Sequence, residues 1–286
     1  MSDTVDVVTP AFLRGWALPQ ASGSKHSRGH FVAVGASRST PGALLLSGVA
    51  GLRVGAGVLA LAAPDSVAVQ LALVVPESAV VGYPDEGGWS DRLTELVHHA
   101  DAITVGPGLD DPGITAALLE SMGGADLGDA AVVLDAFALG VIAQDSGLVP
   151  HVGGPLVLTP NRSEAARLLG MDEDDLSGDA AAVALDVARR WSAVVSFGSA
   201  VAAPDGRRWV VPSGHPGLGT SGSGDVLAGA VGGLLARGAS GEQAAIWATY
   251  LHAAAGDRLA PRVGRLGFLA RELLDELPAV LTEVQA

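Results

Sequence analysis

Residues 219–225 read GTSGSGD: three glycines, two serines and a threonine ahead of one carboxylate, Asp225. Glycines 219, 222 and 224 lack β-carbons, so the backbone there can turn sharply and approach a ligand closely. An apolar, helix-compatible run, VLAGAVGGLLA (226–236), follows at once. The N–H groups of such a loop, joined by the first free N–H groups of a helix, form an anion pocket that needs no side-chain cation. A carboxylate on its rim is placed to act as general base for a hydroxyl attacking phosphorus, a reaction in which positioning and electrostatics do most of the work. As a bland alternative, Asp225 simply complements the helix dipole, a contribution of roughly 0.3–1 kcal/mol.

Other polar loops follow apolar runs: GASRSTPGA (35–43), GPGLDD (106–111), DAFAL (135–139), TPNRSE (159–164) and FGS (197–199). In TPNRSE, Asn161 with Glu164 three residues on is a capping-box pattern, which is compatible with a chemical role as well. Asp135 is compatible with a turn cap. His252 sits in an apolar helical stretch and reads as a core or interface residue; His98-His99 reads as helix surface.

These loops need a scaffold. Short Val- and Leu-rich runs are expected as strands near 30–37, 57–64, 78–83, 101–108, 131–138, 155–161 and 192–199, with a hairpin over 201–212 around Asp205-Gly206. Helical patterns fall at 41–55, 91–100, 112–122, 162–170, 177–191, 225–237, 241–260 and 266–284. Buried strands alternating with helices predict an α/β fold: a three-layer α/β/α sandwich with a mostly parallel central sheet. Residues 1–28 are expected as an extended or loosely helical lead-in, and the whole of 1–286 as one domain. Ligands of such sheets collect at the carboxyl ends of the strands, where the polar loops lie.

Composition excludes several classes. The net charge of -14 gives no basic field for nucleic acid or anionic lipid. With no cysteine, disulfides and thiolate chemistry are out. Lys25, the only lysine, is followed by His26, so there is no Walker A loop. No HExxH and no GxSxG occurs. The start, MSDTVDVV, has no signal-peptide pattern, and a soluble cytoplasmic protein without a membrane partner is expected.

GSGDVLAGAVGGLLARG resembles the G-[TS]-G-D signature of the ribokinase-like superfamily. Within it, the chain looks most like the ADP- or ATP-dependent NAD(P)H-hydrate dehydratases: GHFVAVGASRSTPGALLLSGVAGLRVGAGVLALAAP (29–64), VGPGLD, VVLDAFAL, VLTPNRSEAARLLG and WATYLHAAAGDRLA occur in that family's order, over roughly residues 10 to 275. The resemblance implies repair of hydrated NADH or NADPH, with (6S)-NAD(P)H hydrate phosphorylated on its ring hydroxyl from ADP or ATP with Mg²⁺, then losing phosphate. It implies Asp225 as base; Gly222, Ser223 and Gly224 as anion hole; Ala43, Gly108 and Asn161, with Asp225, around the hydrate; Phe197, Gly198, Ser199, Ala200, Val201 and Gly224 around the adenine nucleotide; and Glu164 organising magnesium through water. Stand-alone bacterial members favour ADP and are often tetramers.

Three positions depart from the family pattern: Asn161 stands for its histidine, Phe197 for its lysine and Phe137 for an acid. TPNRSE is also similar to hydroxymethylpyrimidine-type kinases, so a small-molecule kinase of the same fold is an alternative, as is a nucleotide-binding homologue with weak activity.

Overall fold

The computed structural model describes residues 4–20 and 23–286. Ten strands form one sheet. In chain order they are β1 (Asp6–Val7), β2 (His30–Val34), β3 (Val58–Pro64), β4 (Ser78–Tyr83), β5 (Ala102–Val105), β6 (Ala131–Leu134), β7 (Leu156–Leu158), β8 (Val194–Phe197), β9 (Ala200–Ala202) and β10 (Arg208–Val210). Their order across the sheet is β1-β10-β9-β8-β7-β6-β5-β2-β3-β4. Only β9 runs antiparallel to its neighbours, β8 and β10. The expected α/β fold with a mostly parallel sheet is therefore the one formed.

Helices cover both faces: α1 (Pro10–Gly15), α2 (Pro41–Arg53), α3 (Asp65–Val74), α4 (Asp91–His98), α5 (Pro112–Gly123), α6 (Phe137–Gln144), α7 (Arg162–Leu169), α8 (Ala180–Trp191), α9 (Ser223–Ala236), α10 (Gly241–Arg262) and α11 (Ala270–Gln285). Local chemistry starts them where it should. Thr9, Ser90, Asp111 and Ser240 each accept a backbone N–H in the first turn of the helix they precede, and Pro follows Thr9 and Asp111 at the first helical position. Two apolar cores result, one on each sheet face: Phe31, Leu44, Leu59 and Trp247 belong to the first, Tyr83, Ile103, Leu134 and Ile142 to the second.

Several boundaries differ from the sequence reading. The run 131–138 is a strand only to Leu134. Ala136 takes a left-handed φ of 51°, and α6 starts at the next residue. The helix at 65–74 is not foreseen from sequence, because VAVQLALVV shows no 3.6-residue alternation of polar and apolar positions. Part of the lead-in joins the sheet: β1 pairs in parallel with β10, Asp6 opposite Trp209. Residues 1–3 and 21–22 of that lead-in lie outside the described residues. The hairpin around Asp205-Gly206 forms from β9 and β10.

Chain order reverses between β2 and β5: β3 and β4 lie on one side of this pair, β6, β7 and β8 on the other. Such a reversal opens a crevice at the carboxyl ends of the strands. Helices α2 and α9 pack together through backbone rather than side chains. A β-carbon on Gly229 would lie 1.9 Å from the Ser47 carbonyl oxygen, and one on Gly233 2.5 Å from Gly51. Gly229→Val should therefore destabilise the protein by about 3 kcal/mol by prising the helices apart; a urea titration of the variant measures it, and an unchanged midpoint would contradict this packing.

Candidate functional site

The polar loops after β7 and β8 meet the start of α9 at the carboxyl end of the sheet. A cavity of about 390 Å³ opens there, lined by Asn161 beyond β7, Gly198 and Ser199 beyond β8, and Ser223 and Gly224 at the start of α9. Gly222 precedes that helix with a φ of +88°, the left-handed region glycine tolerates. Its missing β-carbon would sit 2.6 Å from Leu46 Cδ1 and 3.2 Å from Ala270 Cβ. No side chain caps this helix end. Val226 N–H is the first to bond back, to Gly222 O, and Ser223 N–H is taken by Thr220 O. Gly224 and Asp225 therefore present N–H groups with the positive end of a helix dipole behind them. Nothing lies within 4 Å of where a Gly224 β-carbon would be, so the loop has room for a tetrahedral anion.

Three carboxyls stand just behind residues that line this pocket: Asp225 follows Gly224, Asp135 accepts from Thr159, and Glu164 accepts from Asn161. Each holds its proton more tightly than usual. Asp225 rises from 3.8 to about 6, chiefly through burial and then through the charge of Glu164. Glu164 is raised by burial, offset in part by the Asn161 backbone N–H. Asp135, only 4% exposed, is pushed well above the carboxylate range by burial and then by Asp225. Thr159 Oγ1 donates to Asp135 Oδ1 at 2.7 Å and favours its ionised form. Carboxyls with raised proton affinity gathered around an anion pocket are suited to general acid–base work.

The Asn161–Glu164 capping box is complete. Asn161 Oδ1 accepts from Glu164 N–H at 3.0 Å, and Glu164 Oε2 accepts from Asn161 N–H at 2.9 Å. TPNRSE is thus explained by the start of α7, and Glu164 keeps Oε1 for another partner. Among the described residues no group of three His, Asp or Glu side chains could hold a metal ion. A free carboxylate oxygen beside a phosphate-sized pocket fits Mg²⁺ carried in by a nucleotide, held mostly by phosphate and water.

The structure places Ala43 and Gly108 together, one step along the sheet edge. Gly108, at φ +79°, would put a β-carbon 3.2 Å from Ala43 Cβ, and Thr40 Oγ1 donates to Gly108 O at 2.8 Å. Ala43 lies one turn before Leu46, which touches Gly222, so α2 links this pair to the anion loop. At the turn from β8 into β9, Gly198 and Ser199 line the cavity, whereas the side chains of Phe197, Ala200 and Val201 are buried in the two cores.

Two further residues are tied to the site in ways their sequence context does not show. Asp135 follows an apolar strand, the position where functional groups of parallel sheets gather, yet its neighbour Asp225 is 90 residues away. His252 is not simply packed in the core: it also lines the cavity, with Nε2 2.8 Å from Ser223 Oγ. Burial lowers its pKa to about 4, leaving it neutral at pH 7 and able to fix the Ser223 hydroxyl.

A glycine turn opening a helix, an acid three residues after the turn and a mostly parallel sheet define the ribokinase-like class. A ribokinase-like superfamily protein from Enterococcus faecalis superposes with a TM-score of 0.85 over 99% of this chain and 97% of that one, at 24% identity. The NAD(P)H-hydrate dehydratase family model matches residues 31–279, and this chain belongs to that family. It is 42% identical to the ADP-dependent (S)-NAD(P)H-hydrate dehydratase of Xanthomonas campestris, covering 97% of this chain and 96% of the relative. It is 37% identical to the bifunctional NAD(P)H-hydrate repair enzyme Nnr of Moorella thermoacetica, aligning over 98% of this chain but 54% of that longer protein. The ADP/ATP-dependent NAD(P)H-hydrate dehydratase of Bacillus subtilis, co-crystallised with ATP and Mg²⁺, superposes with a TM-score of 0.83 at 28% identity over 98% of this chain and 99% of that one.

Proposed function

We propose that this chain is an ADP-dependent NAD(P)H-hydrate dehydratase acting in nicotinamide nucleotide repair, working as a single dehydratase domain. The observation that carries this reading is Asp225: a carboxyl whose pKa is raised to about 6, beside an anion pocket built from free backbone N–H groups, in a member of this family. Asp225 takes the proton of the ring hydroxyl as that oxygen bonds to the terminal phosphorus of the donor, and the bond to the leaving nucleotide breaks. The turn at Gly222, Ser223 and Gly224 holds the transferring phosphoryl group, through the free N–H groups of Gly224 and Asp225 and the Ser223 hydroxyl that His252 steadies. Ala43, Gly108 and Asn161 border the hydrate, while the segment from Phe197 to Val201 supports the adenine nucleotide through Gly198 and Ser199. Glu164 would help hold Mg²⁺ through water, and the ion would supply neutralisation of phosphate charge. Phosphate then leaves the ring with loss of a proton from the neighbouring carbon, regenerating the reduced nicotinamide.

ADP is the preferred donor in this reading, with ATP as a weaker one. The working form is a cytoplasmic homotetramer. Among the described residues no helix is long and apolar enough to cross a membrane. The kinase alternative drew on TPNRSE, and the capping box accounts for that motif without a second substrate.

The direct test is absorbance at 340 nm with purified NADH hydrate and Mg²⁺, adding ADP and then ATP. Recovery of NADH that requires a nucleotide is the expected result, faster with ADP; a flat trace from folded protein overturns the reading. The pH profile gives a second check. Asp225 works as a base only when ionised, and its pKa is about 6. kcat/KM should therefore be level from about pH 7 upward on this limb and fall about tenfold per pH unit below 6. A limb at the ordinary carboxylate value near 4 would mean that another group takes the proton.

A further inference from the structure

Two cavities open on the carboxyl edge of the sheet, and the function proposed above uses only one. The second, about 320 Å³, lies beyond β2, β3 and β5, in the crevice where chain order reverses. Its walls include Ala36 and Leu109, which bracket the Gly108–Ala43 pair, and Ala36 is held at a left-handed φ of 68° that a non-glycine residue seldom adopts. Ala36 N–H donates to Pro107 O at 2.8 Å, tying the loops after β2 and β5 together across the crevice.

The two cavities are three to four strands apart, or roughly 14–19 Å at about 4.8 Å per strand. With the donor nucleotide in the first cavity and the reacting ring at Asp225, the second cavity lies past Gly108 along the strand ends, within reach of the rest of a dinucleotide. There its far ribose arrives, the sugar whose 2′ position is a hydroxyl in NADH and a phosphate in NADPH.

The charges lining this cavity are unequal. Arg38 is its one cation, against Asp85, Asp110 and Asp111. Arg38 is already engaged: Nη2 donates to Asp85 Oδ2 at 2.8 Å and Nε to Ser66 Oγ at 3.1 Å. Asp85 is itself fixed, its Oδ1 accepting Ser66 N–H at 3.1 Å. Asp110 Oδ2 accepts from Ser39 Oγ at 2.5 Å, and Asp111 Oδ1 caps α5 at Ile114 N–H. A 2′-phosphate entering here meets a neutralised cation and two uncompensated carboxylates; a 2′-hydroxyl meets acceptors. Discrimination then comes from repulsion as much as attraction.

Resting on the dehydratase reading, we propose that this cavity holds the far ribose of the dinucleotide hydrate, and that Asp85, by pinning Arg38, together with Asp110 makes the protein select NADH hydrate over NADPH hydrate.

The test is calorimetric binding of the purified S epimers of both hydrates to the full chain without ADP, alongside kcat/KM for each. NADH hydrate should bind at least about tenfold more tightly than NADPH hydrate, with a matching ratio in kcat/KM. Asp85→Asn, which keeps an acceptor for Ser66 N–H but frees Arg38, should shrink that ratio about tenfold or invert it. Equal binding of the two hydrates by the native chain, or a preference for NADPH hydrate, overturns the selectivity and leaves the dehydratase reading standing. If neither hydrate binds or is turned over, the dehydratase reading falls and this inference with it.

Discussion

Asp225→Asn should lower turnover by about 10³- to 10⁴-fold while ADP affinity stays within about threefold, because the amide keeps the shape of the rim and loses only the base. The same variant should be more stable than the parent at pH 8. Burial raises the native pKa from 3.8 to about 6, which corresponds to roughly 3 kcal/mol. The sign follows from linkage. The native state favours the protonated acid, a preference fully present below pH 3.8 and lost as pH rises through 6. Above that the buried carboxylate burdens the fold, so asparagine there raises Tm by several degrees. Near pH 4 the two proteins should melt almost together. Steady-state kinetics, an ADP titration and melting curves at both pH values check it. Equal losses in ADP binding and in rate would contradict the base assignment, and a variant less stable at pH 8 would mean that the ionised carboxylate is better paired than its surroundings show.

Gly222→Ala should cut kcat/KM by about 10²- to 10³-fold through the anion pocket itself, the scale of losing one donor to a developing charge. Two effects act together. A β-carbon at φ +88° is strained, by about 1–2 kcal/mol, and it would press on Leu46 and Ala270 at 2.6 and 3.2 Å. The loop must shift to relieve this, carrying the Gly224 and Asp225 N–H groups out of register. ADP binding should weaken with the rate, unlike the Asp225 variant. Gly224→Ala is the control: its β-carbon meets nothing within 4 Å and its helical φ is ordinary, so the fold should be unaffected and only the room for phosphate should shrink. Comparing ADP affinity and Tm across the two alanine variants separates loop geometry from cavity volume. If Gly222→Ala binds ADP normally, the phosphate lies elsewhere.

Local signals carried much of this far. Glycines 222 and 224 beside Asp225 are contiguous, and their chemistry depends on backbone conformation that glycine content makes legible. The parallel sheet follows from alternating apolar strands and helices, each set by its own composition, and the α7 start from Asn161 and Glu164 alone. What chain order cannot convey is which distant residues meet. Asp225 raises the proton affinity of Asp135, 90 residues away, only because β6 ends beside the start of α9. His252 reads as an apolar-helix residue until α10 sets it against Ser223. The burial that lifts the Asp225 pKa is likewise a property of packed neighbours. The sequence by itself determined the glycine loop, the carboxylate at its end and the fold class, because those are set by residue types a few positions apart. The coupled carboxyls, the His252–Ser223 contact and the Arg38–Asp85 pair at the crevice were decided by tertiary structure, because only packing brings their charges within reach.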